Sequence, residues 1–121
     1  MKTLTVCVVT LVSFLSVSFR SAQAEVFSVP DLLKMCSGKT DQPMRDKAYC
    51  AGFIEGVMGG HSFMVSAGAK PMYCLPNNEI TSDKAINIIT QWTIGNPKFI
   101  RGEKATARGV VLIALFSVFP C

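Results

Sequence analysis

The stretch Ala48-Tyr49-Cys50-Ala51-Gly52-Phe53-Ile54-Glu55-Gly56-Val57 decides the fold class. Tyr49, Phe53 and Val57 recur every four residues, with Cys50 and Ile54 beside them, which is the spacing of one helical face. The pattern predicts the middle of a central helix with these residues turned inward. Gly52 and Gly56 lie four apart on it. Each costs about 1 kcal/mol of helix propensity relative to alanine, so a tight packing contact is expected to offset the loss. Cys50 falls on the inward side, where a second cysteine can reach its thiol.

Asp41-Gln42-Pro43 starts this helix, with Asp41 as its cap and Pro43 in the first turn. Gly59-Gly60 are expected to end or bend it, leaving His61 to Tyr73 as a less regular stretch punctuated by Gly68 and Pro71. Before it, Ser28-Val29-Pro30-Asp31 opens a short first helix. Ser28 caps it, Asp31 suits its positive end, and Ser37-Gly38 closes it. After it, Cys74-Leu75-Pro76-Asn77-Asn78 is a turn and Thr81-Ser82-Asp83 caps a third helix. Ala85, Ile88, Ile89 and Trp92 repeat there at helical spacing, and Gly95-Asn96-Pro97 stops it. Lys98 to Lys104 is a basic connector around Phe99 and Ile100. Ala105 to Phe119 is the last helix, so apolar from Gly109 onward that burial on most sides is expected, and too short to cross a membrane. The fold class is therefore all-α, a small bundle of about four helices.

The first 24 residues read differently. Lys2 is followed by an uncharged, largely apolar run from Leu4 to Val17, and Ala22-Gln23-Ala24 has the form of a leader-cleavage site. A signal peptide over 1–24 and a single helical domain over 25–121 are expected. Lys2 and Arg20 leave with the leader, so the formal charge of +4 overstates that of the mature chain. No clustered basic face of the kind that binds nucleic acid is present.

Cys7 also leaves, and Cys36, Cys50, Cys74 and Cys121 remain. An even number of cysteines in an exported chain points to two disulfides, for which three connectivities exist. There is no C-x-x-C pair and His61 is the one histidine, so a metal site fits the pattern poorly. A short link makes the third and last helices antiparallel, which brings Cys121 back toward Cys74 and leaves Cys36 with Cys50. No phosphate-binding glycine loop, cofactor motif or catalytic set that His61 can anchor appears, and the carboxylates are scattered.

The chain resembles the Tai-type (Rap/Tai) immunity proteins of bacterial type VI secretion systems. The likeness lies in the leader, Leu32-Leu33 with Cys36, Tyr49 to Val57, Cys74-Leu75-Pro76, the capped helix at Thr81, Asn96-Pro97, Ala114-Leu115 and Phe119-Pro120-Cys121. The basic Lys98–Lys104 connector departs from the pattern. The resemblance implies a small all-helical periplasmic protein, often a homodimer, that binds a peptidoglycan amidase toxin and occludes its active site. It implies neither an enzyme nor a cofactor. Contacts with the toxin are then expected in the irregular stretch and the connector, at Met64, Met72, Tyr73, Phe99 and Arg101, because methionine, aromatic and arginine side chains are enriched at interfaces. An alternative is a periplasmic acid-stress chaperone similar to the HdeA-like proteins, which Gly52, Phe53, Glu55 and Gly56 suit loosely.

Overall fold

Four main helices and one single-turn helix make up the computed structural model, which describes residues 27–102 and 105–121. The expected leader lies outside those residues. Helix α1 is Val29–Ser37, α2 is Pro43–Ser66, α3 is Ser82–Gly95, α4 is Lys98–Arg101 and α5 is Ala107–Val118, with a 3-10 turn at Pro76–Asn78.

Local chemistry sets most of the ends. The Ser28, Thr81 and Thr106 hydroxyls each accept a backbone N–H of the first helical turn, capping α1, α3 and α5. The caps of α1 and α5 lie side by side, paired as an isolated antiparallel bridge between Ser28 and Thr106. Gly38 closes α1 at a φ of +64°, where a Cβ would lie 2.4 Å from the Lys47 Cε.

Helix α2 departs from the expected course at both ends. Gln42, not Asp41, is its N-cap residue, and no side-chain cap bond is made there. Gly59 and Gly60 do not end it, and it continues as helix to Ser66. Glycine inside a helix costs only about 1 kcal/mol and needs a further device to stop the chain. That device lies at Gly68, with φ at +99°. The Ala69 N–H donates to the Met64 carbonyl at 2.9 Å and the Gly68 N–H to the Val65 carbonyl at 3.0 Å, the two bonds of a Schellman stop.

Helix α1 packs along α2, α3 along α5, and α2 lies against both α3 and α5. The core gathers Leu32 of α1, Cys50 and Ile54 of α2, Ala85 and Ile89 of α3, and Val111, Ala114 and Leu115 of α5. The inward line of α2 is thus Cys50 and Ile54, with Phe53 and Val57 at its edge. Tyr49 is 55% exposed and meets Phe27 edge-on at 5.7 Å. Glu55 is exposed and accepts a hydrogen bond from the Ser82 hydroxyl, which ties α2 to the start of α3.

Two disulfides staple the bundle. Cys36–Cys50 joins α1 to α2, and Cys74–Cys121 joins the chain after α2 to the C-terminus. The Cys74 N–H also donates to the Phe119 carbonyl at 2.9 Å, so two bonds hold the end of the chain at this point. Among the described residues no helix is long and apolar enough to cross a membrane.

The last helix is less enclosed than its composition suggests. Val110, Val111, Ala114 and Leu115 are buried, whereas Ile113, Phe116 and Val118 are exposed. Its neighbours α3 and α2 cover one side, and no described element lies over the other.

Candidate functional site

The glycines of α2 face outward. Gly52, Gly56 and Gly60 recur every fourth residue, and a Cβ placed on any of them would meet no atom of the described residues within 4 Å. The expected close contact within the chain is therefore absent, because the core side of α2 is occupied by Cys50 and Ile54 instead. What the glycines leave is an open groove of about 670 Å³ between this row and the edge of α5.

The groove is apolar along its length and basic at its margins. Phe53, Val57 and Met64 line it from α2, Leu112 from α5, and Met72 from the chain that returns after the Schellman stop. Among the described residues Lys70 and Arg108 are the charged ones that line it, and no carboxylate does. Two of its own lining side chains are well exposed, Met64 at 56% and Met72 at 49%. Large side chains of this kind grouped in one region are characteristic of interaction sites, whereas single exposed ones are ordinary. A row without Cβ atoms also admits another backbone closely.

Of the residues expected to face a partner, the structure brings Met64 and Met72 together in this groove. Phe99 and Arg101 are elsewhere. Phe99 packs against Trp92 with ring centroids 5.1 Å apart and lies under the Lys98 ammonium at 5.2 Å. It borders a second hollow, of about 460 Å³, with Thr106, Val110 and Ile113. Arg101 is exposed and lines neither hollow. Tyr73 requires a correction, since it is 3% exposed and belongs to the core cluster. The return of the chain toward Cys74 carries its ring inward, onto His61 at 4.0 Å, and burial raises the pKa of its phenol.

Gly52, Gly56, Gly60, Arg108 and Leu112 were not anticipated as site residues. The four-residue glycine period was a usable signal for the groove, but it carries no information about which side of the helix is covered.

Among the described residues no group of three histidine, cysteine or acidic side chains is placed to hold a metal ion. The four described cysteines are oxidised to disulfides and supply no nucleophilic thiol. His61 uses its Nε2 as acceptor for the Met72 N–H, at 3.0 Å. Residues 28–121 match the family of Rap1a immunity proteins, and the chain belongs to that family. The match begins at the cap of α1 and takes in every described helix and all four disulfide cysteines. Immunity proteins are not enzymes, and this chain is not one. Neither the curated proteins nor the solved structures contain a match to the chain. The two disulfides fit an oxidising, extracytoplasmic location.

Proposed function

We propose that this protein is a periplasmic immunity protein that binds a type VI secretion cell-wall amidase and blocks its active site, and that the groove between α2 and α5 is the surface it offers the toxin. The family supports immunity as the purpose. The observation that carries the site is the open glycine row, flanked by Met64, Met72 and Leu112 and left uncovered by the chain's own fold. Lys70 and Arg108 at its margins suit a toxin segment that is apolar and bears a carboxylate. The leader supports the periplasm as the compartment. The two staples restrict the motions that binding would otherwise have to freeze.

The proposal includes the homodimer that the family resemblance implies. Ile113 and Phe116, exposed on the outward strip of α5, are the residues assigned to it, leaving the groove to the toxin. The purified mature protein is expected to sediment as a dimer and the Phe116→Asp variant as a monomer. A wild-type protein that stays monomeric at high micromolar concentration would remove this part.

The test of the site uses Met64→Asp and Met72→Asp in the mature chain. Both side chains are about half exposed, so the fold is expected to tolerate a charge there. Affinity for the toxin should fall by at least about fivefold, as for a contact worth more than roughly 1 kcal/mol. Titration calorimetry gives the affinity, and thermal melts show that the variants remain folded. Both variants inhibiting the toxin as wild type does would exclude the groove as the contact.

A further inference from the structure

His61 stands at the boundary of the groove and makes a contact that packing alone does not require. After the Schellman stop at Gly68 the chain doubles back, and the Met72 N–H reaches the His61 Nε2 at 3.0 Å, across eleven residues of sequence. The imidazole ring lies on the Tyr73 ring, with centroids 4.0 Å apart and planes inclined by 17°. Met72 lines the groove on one side of His61, and Tyr73 lines a smaller hollow on the other. A ring nitrogen accepts a hydrogen bond only when it carries no proton. The geometry therefore requires a neutral His61 with its single proton on Nδ1.

Few described charged groups stand near this contact. Lys70 and Arg108 are the charged residues that share the groove with it. On the other side Ser62, Ser66 and Asn78 are polar but do not titrate, and Tyr73 is held as a neutral phenol by its burial. Among the described residues no carboxylate lines either hollow. Among the side-chain types, histidine is the one that ordinarily gains its charge between about pH 8 and pH 5.

We propose that His61 positions the Met72 wall of the groove and does so only while uncharged. Protonation turns the acceptor nitrogen into a donor facing the Met72 N–H. The tie is lost, the segment from Ala69 to Met72 is released, and the docking surface loosens as the pH falls. As a statement about toxin binding this rests on the groove being the toxin's seat. As a statement about the fold it stands on the contact itself.

The test uses nitrogen-15-labelled mature protein, with His61→Gln and His61→Leu variants. Glutamine keeps an acceptor near the same place but does not titrate, whereas leucine fills the space without an acceptor. At pH 7.5 the wild-type imidazole should show the nitrogen shifts of the Nδ1–H tautomer. Exchange protection of the Met72 amide, taken relative to an unstructured chain at the same pH, should fall roughly tenfold between pH 7.5 and pH 5, the effect of losing one hydrogen bond of about 1.4 kcal/mol. His61→Gln should hold its protection at both pH values and His61→Leu should lack it at both. An Nε2–H tautomer, unchanged wild-type protection, or the same fall in His61→Gln would overturn the proposal.

Binding of the wall hydrolase encoded beside the protein is then compared at the same two pH values. Wild type should weaken about tenfold more than His61→Gln, which carries the same hydrolase-side pH effects. An equal loss in both proteins overturns the regulatory part. Failure of the docking reading looks different. Met64→Asp then binds the hydrolase normally, while the Met72 amide still follows the charge on His61.

Discussion

Replacing Gly56 by leucine is expected to cripple toxin neutralisation, lowering affinity by at least about thirtyfold, while leaving the fold intact. The two halves of this result come from the same geometry. A Cβ at Gly56 meets no described atom within 4 Å, so the first atom of the new side chain displaces nothing there. Leucine is also the better helix former, by up to about 1 kcal/mol, so α2 gains rather than loses. The side chain must instead occupy the groove that Gly52, Gly56 and Gly60 leave open. A partner seated against that row is displaced, and an interface disrupted near its centre loses 2 kcal/mol or more. Gly56→Ala separates the effects, since a methyl group should raise stability by roughly 0.5–1 kcal/mol and disturb binding much less. Melting curves and calorimetric titrations of both variants give the answer. A Gly56→Leu protein that melts as wild type and still binds at full strength would place the toxin elsewhere.

The second large effect is on stability. Removing the Cys74–Cys121 bond by paired substitution to serine is expected to cost about 4 kcal/mol, against about 3 kcal/mol for Cys36–Cys50. The difference follows from the loops each bond closes, of 47 and 14 residues separation, because the longer loop has more freedom to regain when the unfolded chain is released. Cutting the longer one also loosens the Cys74 N–H bond to the Phe119 carbonyl, and with it the end of α5, whose Leu115 lies in the core. For a domain of this size 4 kcal/mol corresponds to a fall in melting temperature of roughly 15–30 °C. It is also a large fraction of the 5–15 kcal/mol that usually separates folded from unfolded protein. Thermal melts of the two double-serine variants measure it. A fall of less than a few degrees for Cys74→Ser/Cys121→Ser would mean that α5 and the surrounding core hold the C-terminus without the staple.

The helices were legible because their ends carry local chemistry. Ser28 and Thr81 cap two of them with hydroxyls, and Gly38 accepts the left-handed turn after α1, whereas the Thr106 cap places the start of the last helix at Ala107 and not at the expected Ala105. The inward side of α2 was only half legible. Tyr49, Phe53 and Val57 have helical spacing, but so do Cys50 and Ile54, and periodicity cannot choose between adjacent rows. Packing chooses Cys50 and Ile54, with Cys50 bonded to α1 through Cys36. The glycines misled for a related reason. Their spacing reports a place where another backbone can come close, without saying whether that backbone belongs to the same chain. In α5 the apolar run from Gly109 suggested enclosure on most sides, yet α3 and α2 cover only one, leaving Ile113 and Phe116 outside.

The candidate site was legible in two of its residues, Met64 and Met72. The remainder of the groove joins residues far apart in sequence, from Gly52 to Met72 on one side and Arg108 and Leu112 on the other, and no local pattern encodes that meeting. The burial of Tyr73 was not legible, because it closes the irregular stretch from His61, where no periodicity marks an inward side. The hydrogen bond from the Met72 N–H to His61 and the bonds at Cys74 turn the intervening residue into the core.

The central claim is that this protein disarms a wall-degrading enzyme by holding it. The most direct measurement mixes purified mature protein, residues 25–121, with the secreted wall hydrolase encoded beside it, and follows both complex formation and peptidoglycan cleavage. The account predicts a tight stoichiometric complex at neutral pH in which cleavage stops. No complex at neutral pH, with suppression of aggregation appearing on acidification, would contradict it and point to the chaperone activity of the HdeA-like proteins.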